Sequence, residues 1–314
     1  MLRSGLVVLS RGLLTIVLGG SLLGCSAVKG VAIDTLVSSL EDGSDSLRAH
    51  FDWETAGHGA ASGIMQLEGI YGLRPENEAL ALGLVKSYMA YAYGWVMDQY
   101  ELAELAADYE RAAHHQQRAY NMYTRAKRIA MRALELRDEG IKGKLSDGPA
   151  DFLEYLRETY TDPEEDVAPI FWLMMSWSSA VNNSPDGTEF TDMPYIKALA
   201  QRVIELDEDF GDAGALVFMG GLNGSYPEAL GGDHKAAVEY FERALKSTKR
   251  RNHIVQVNYA TLYAVTAQDR ELFVRLLKEV VAAGDQGDLY RLGNKVARRR
   301  AERYLRQVDD LFFE

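Results

Sequence analysis

The chain is poor in residues that cross-link, interrupt helices or catalyse. It holds one cysteine, Cys25, in 314 residues. No disulfide can form within it, so stability must come from a packed core. Only 7 prolines occur, and alternating Val-Ile-Thr runs are scarce, while Ala, Leu, Glu and Arg are plentiful. That composition predicts an almost entirely helical protein. Cations are outnumbered, 34 Lys and Arg against 46 Asp and Glu, giving a net charge of −12. Such a balance argues against nucleic-acid binding, which needs clustered Lys and Arg. There is no His-Glu-x-x-His, no Gly-x-Ser-x-Gly and no Walker loop. His114 and His115 are adjacent, so on a helix they point about 100° apart and do not chelate together. Gly57-x-Gly59 followed by Gly63 has no strand before it, which disfavours a dinucleotide site. Carboxylates are so numerous that close pairs arise by chance, and no acid–base dyad is assigned. The expectation is a protein that is not an enzyme and has neither metal nor other cofactor.

What is present starts at the N-terminus. Arg3 and Arg11 precede an uncharged apolar run over residues 13–23, the layout of a secretory signal. The run is marginal for a spanning helix, which needs roughly 20 apolar residues. It closes on Leu22-Leu23-Gly24-Cys25, which resembles the bacterial lipoprotein signal. By that resemblance cleavage falls before Cys25, which carries the acyl chains (palmitate among them) as the first mature residue. The alternative is a plain signal peptide or uncleaved anchor. Ser26 follows, and by analogy with enterobacterial sorting this favours the outer membrane over the inner one. The expected segments are residues 1–24 as signal, 25–46 as lipidated N-terminus and tether, and 47–314 as one helical domain.

Along that domain, residues 77–105 form a long helical pattern with Tyr88, Tyr91 and Trp95 on one face. Residues 110–137 form another, followed by a polar connection over 138–150 and a short helix over 152–160. Asp162-Pro163 starts a turn or a new helix, since proline suits the first helical position. Residues 168–181 are apolar nearly all round and read as a buried helix. Trp172, Met175 and Trp177 on it either pack the core or line an apolar cavity. Helices follow over 195–206, 212–222, 234–248, 252–264 and 270–282, with Asp233 and Asp269 as caps. The turn Asn223-Gly224-Ser225-Tyr226-Pro227 leads into Glu228-Ala229-Leu230-Gly231-Gly232-Asp233. Gly231, Gly232 and Asp233 read either as a tight capped turn or as a loop facing a ligand or partner, with Tyr226 and Asn258 beside it. The last helix, about 289–312, carries Arg291, Lys295, Arg298, Arg299, Arg300, Arg303 and Arg306. It is either a solvated or salt-bridged face, or a contact to anionic lipid or an acidic partner.

Helices also resemble one another. Arg132-Ala133-Leu134-Glu135-Leu136 is similar to Arg202-Val203-Ile204-Glu205-Leu206, to Arg243-Ala244-Leu245-Lys246 and, loosely, to Arg275-Leu276-Leu277-Lys278. The spacings approach one or two units of a helix-turn-helix repeat of about 34 residues. The expected fold is all-α, with irregular tetratricopeptide-like helix-turn-helix repeats stacked into a single elongated domain. An ordinary helical bundle is the alternative.

Phe171-Trp172, the run Arg202 through Phe210, the run Tyr226 through Asp233, Ala237 with Tyr240 through Leu245, and Asn258-Tyr259-Ala260 extend the likeness. Asp269-Arg270 with Phe273, Leu276 and Leu277, and the segment from Arg300-Ala301 to Phe312, complete it. Together they resemble the T-component family of tripartite ATP-independent periplasmic (TRAP) transporters over roughly residues 25–314. The resemblance implies a lipid-anchored periplasmic, homo-oligomeric accessory protein. Its implied partner is the periplasmic solute-binding protein, to which it would help deliver a small ligand. No catalytic residues are implied. Candidates for ligand or partner contact are Trp172, Met175, Tyr226, Gly231, Gly232, Asp233, Asn258 and Tyr259. A general scaffold lipoprotein of envelope assembly is the rival reading.

Overall fold

A computed structural model describes residues 45–313. The signal, Cys25 and nearly all of the tether lie outside the described residues. Helices dominate and no strand occurs among the described residues, as the composition predicts. Polar residues start most of the helices by accepting from otherwise unpaired backbone N–H groups. Asp52 caps α1 (Trp53–Tyr71) and Asn77 caps α2 (Glu78–Tyr91). Helix α2 runs through a wide π turn, Ala92–Val96, into α3 (Met97–Leu105). Asp108 caps α4 (Tyr109–Arg137). After α5 (Pro149–Thr159), Asp162 caps α6 (Pro163–Asn182), with Pro163 in its first turn, so of the turn and the helix that the sequence allowed here it is the helix that forms. Helices α7 (Met193–Asp207) and α8 (Phe210–Gly224) follow. Asp233 then caps α9 (His234–Ser247), and Asn252 caps α10 (His253–Tyr259), which passes into a second π turn, Ala260–Ala264. Asp269 caps α11 (Arg270–Ala282). Each such cap contributes about 1 kcal/mol.

Helix α4 packs against α2, α3 and α6; α6 packs on α7; α8 packs on α9; and α10 and α11 pack on the last long helix, α12 (Asp288–Leu305). The reading of residues 168–181 as buried is met: Ile170, Leu173 and Met174 are fully buried. Pro169 inside α6 has no N–H to offer the carbonyl of Glu165, four residues back. Arg137 Nη1 donates to that carbonyl instead, at 2.9 Å, and the helix continues. In the C-terminal half Phe241, Leu245, Phe273, Leu276, Leu277 and Val280 form one apolar cluster.

Two boundaries differ from expectation. The last helix stops at Leu305, and a short α13 (Val308–Leu311) follows. The break turns Phe312 back onto Phe273, with ring centroids 5.1 Å apart. At the start of α8, Gly211, Asp212 and Ala213 all adopt left-handed backbone angles. Glycine is required at 211, where the Phe171 ring occupies the space of a Cβ. Asp212 and Ala213 hold a conformation that L-residues disfavour, and Arg48 Nη2 binds the Asp212 carboxylate at 3.1 Å.

The beginning and end of the described chain meet. Arg48 Nε donates to the carbonyl of Leu289, and Arg291 Nη1 donates to that of Ala49. In the first π turn, the carbonyl of Gly94 accepts from Trp53 Nε1 and that of Tyr93 accepts from Arg300 Nη2. A π turn breaks the regular ladder of a helix, and here side chains from α1 and α12 fill it.

Candidate functional site

The turn between α8 and α9 is built by its backbone. Gly232 N–H donates to the carbonyl of Pro227 and Asp233 N–H donates to that of Asn223. Gly231 has φ +94°, and a Cβ on Gly232 would collide with the carbonyl of Tyr226. Both glycines are therefore required by the turn itself. Asp233 accepts from Ala236 N–H at 2.9 Å. The outer rim is exposed: Tyr226, Glu228 and Leu230 face solvent, Leu230 at 74% of its full exposure. His234 Nε2 lies 3.2 Å from the carbonyl of Tyr226, and its ring meets Tyr263 edge-on.

The structure thus brings Tyr226, Gly231, Gly232 and Asp233 into one exposed turn. Tyr259 lies behind it, buried and stacked on Phe241 at 4.7 Å, with Tyr263 tilted against it. Burial, with Glu242 nearby, raises the pKa of the Tyr259 hydroxyl, so it stays neutral. Asn258 is half-buried on the same helix. Trp172 and Met175 belong to a different place, half-buried on α6. Phe171 meets Trp172 edge-on, and Lys86 Nζ stands 5.9 Å from the Trp172 ring centre. Two open clefts stand out elsewhere. One, of about 380 Å³, is lined by residues that include Tyr100, Glu104, Leu105, Tyr304 and Asp310. The other, of about 320 Å³, lies between Tyr88, Arg118, Asn121, Met122 and Arg125. No group of three or more His, Cys, Asp and Glu suited to a metal gathers among the described residues. No helix among them is long and apolar enough to cross a membrane.

Sequence reasoning left two arginine clusters unresolved. The C-terminal arginines were open to several readings, and three of them turn inward or along the fold. Arg303 and Asp98, each only 2% exposed, pair at 3.0 Å. Arg303 also pairs with Glu101, and Arg299 Nη2 donates to Asp98 Oδ2 at 3.0 Å. Arg299 lies over the ring of Trp53 and Arg300 over that of Tyr93, each 3.8 Å from the centroid. Arg300 Nε is 3.1 Å from Glu101 Oε1, within ion-pair range but not aligned to donate. These three residues are committed to the fold, which takes the buried Arg300 and Arg303 out of any lipid contact.

The second cluster was missed outright. Helix α4 carries seven cationic residues and two acidic ones in an acidic protein. Arg111, Arg118, Arg125 and Arg132 recur every seven residues, so they share one face. Arg125 grips Glu68 through two bonds of 2.8 and 2.7 Å, and Tyr88 donates to the same carboxylate at 2.7 Å. Arg125 above all, helped by Tyr88, holds the Glu68 carboxyl below its usual range against the effect of burial. Burial and the bond to Glu68 push the Tyr88 hydroxyl up to about 12. The seven-residue recurrence is legible in the chain once arginine, rather than apolar periodicity, is followed.

A search of curated proteins returns no match. The family model for the TRAP transporter T-component matches residues 50–312. That span takes in the capped turn, both π turns and the junction of α12 with α3, and on this match the chain belongs to the TRAP transporter T-component family.

Proposed function

We propose that this accessory component of a TRAP transport system works at the periplasmic face of the envelope, held by acyl chains on Cys25, with the outer membrane favoured over the inner one. There it binds the periplasmic solute-binding protein and helps deliver a small ligand to it, as a homo-oligomer of tetratricopeptide-like hairpins. The observation that carries this reading is the family match over residues 50–312. The segment Leu22-Leu23-Gly24-Cys25 supplies the anchor. Stable attachment needs two or more acyl chains, which an acylated N-terminal cysteine provides. The exposed turn with Tyr226, Gly231, Gly232 and Asp233 is the proposed partner contact, backed by Asn258 and Tyr259. Trp172 and Met175 on α6 are the proposed ligand-facing pair. The family is one of accessory transport proteins, and the reading assigns no catalytic step.

The test is a pull-down from native periplasmic extract with residues 26–314 as bait and mass spectrometry of what is retained. Recovery of a solute-binding protein supports the proposal. Recovery of envelope-assembly factors in its place would replace it with the scaffold reading. Separately, Cys25→Ser is expected to leave the membrane fraction while keeping its helical circular dichroism. Persistence in the membrane would overturn the anchor.

A further inference from the structure

The arginine-rich face of α4 has no role in the fold comparable to that of its opposite face. Ala112, Ala119, Tyr123, Ala126, Ile129, Ala130 and Ala133 bury one side of the helix. On the other side, no carboxylate among the described residues pairs with Arg111, Arg118 or Arg128. Arg118 has only a 3.4 Å approach to His115 Nδ1. Arg132 is exposed and reaches Glu135 at 3.8 Å. By contrast Arg137 at the end of the same helix faces Glu78, Glu165 and Asp166. Carboxylates are in excess in this chain, so an open row of guanidinium groups is not forced by any shortage of acids.

Three observations say what could cover it. The guanidinium groups demand negative charge, and their planar forks suit carboxylates held two bonds at a time. The seven-residue interval is about 10.5 Å along a helix at 1.5 Å per residue, the register in which a second helix lying alongside would present its own side chains. A shallow, open depression of about 320 Å³ between Tyr88, Arg118, Asn121, Met122 and Arg125 lies within the row. A membrane surface fits less well. Interfacial helices insert a strip of large apolar residues, whereas the exposed positions of this face are Arg111, His114, Gln117, Asn121, Arg128 and Arg132, with Leu136 as a single large apolar side chain at its end.

We propose that this face of α4 is the docking surface for an acidic helix of a partner protein, one that carries Asp or Glu at seven-residue intervals. Arg111 and Arg118, seven residues apart, take the partner's in-register carboxylates, Arg128 stands open beside that row, and the depression beside Arg118 receives one partner side chain. The proposal goes beyond the preceding reading, since it names a surface and the chemistry of what sits there. It does not depend on the partner being a solute-binding protein.

The test uses the full chain in a non-ionic detergent and a labelled three-heptad helical peptide with Glu at every seventh position. A peptide of the same composition with the Glu positions shuffled is the control. The in-register peptide is expected to bind, to weaken as salt rises, and to bind about tenfold or more weakly to Arg111→Glu/Arg118→Glu. Arg111→Gln/Arg118→Gln, which adds no repulsion, is expected to fall between, and circular dichroism checks that both variants stay folded. Equal binding of the shuffled peptide, or binding indifferent to both variants, would overturn the proposal. So would capture of Cys25→Ser protein by vesicles containing phosphatidylglycerol, lost in Arg111→Glu/Arg118→Glu, with no binding of the peptide. A negative pull-down alongside a positive peptide result would sink only the partner assignment made earlier.

Discussion

Arg303 on α12 and Arg118 on α4 carry the same side chain on helices of similar amphipathic pattern, yet their surroundings differ in everything that sets an arginine's energy. Arg303 is withdrawn from water and held by Asp98 and Glu101. Arg118 stands at the edge of an open cleft with no carboxylate in reach. A buried pair is costly to desolvate and more costly to break, so Arg303 is fixed by the fold. A half-buried, solvent-screened cation with no carboxylate partner contributes little to stability, so Arg118 is free to serve something else. Arg125 sits between these extremes, paired with a carboxylate that is 22% exposed.

The largest expected effect lies at the buried end. Arg303→Ala leaves the buried Asp98 with Arg299 as its remaining cation, and should lower unfolding stability by about 3 kcal/mol, read from the shift of the urea midpoint. A loss under about 1 kcal/mol would mean that the junction is wetter than its burial implies.

The intermediate case is sharpened by pH. The folded-state pKa of Glu68 is lowered chiefly by Arg125. Its contribution is therefore fully present above the ordinary carboxylate value and is lost as pH falls through the lowered one. Glu68→Gln should cost no more than about 1 kcal/mol at neutral pH. It should also reduce the acid-side decline in melting temperature. An unchanged acid limb would show that other carboxylates carry it.

At the open end, Arg118→Glu should change stability by less than about 0.5 kcal/mol, as surface substitutions do. A larger loss by the same denaturation measurement would place Arg118 with Arg303 and erase the contrast.

Much of the fold was legible because its cues are local. Asp162, Asp233 and Asp269 each stand immediately before a helix and cap it. The apolar density around Ile170 and Met174 announced a buried helix. The C-terminal arginines defeated local reading, because the carboxylates that answer them lie on α3, with Asp98 standing 201 positions before Arg299 and 205 before Arg303. The left-handed residues 211–213 were equally hidden, since only the packing of Phe171 shows why glycine stands at 211. The candidate site divides in the same way. The glycines of the α8–α9 turn followed from chain chemistry. The separation of Trp172 and Met175 from that turn could be seen only once the helices were packed.

The meeting of α12 with the first π turn also has a bearing on the protein's synthesis. Asp98 and Tyr93 are made about 200 positions before the arginines that answer them. Domains ordinarily begin folding from the N-terminus as they are made. Here the α2–α3 segment must wait, with the Asp98 carboxylate and the Tyr93 carbonyl lacking their arginines, until residues 299–303 have been released. A nascent chain halted before residue 299 has neither arginine to offer Asp98, so the junction of α3 with α12 closes only after residue 303 is made.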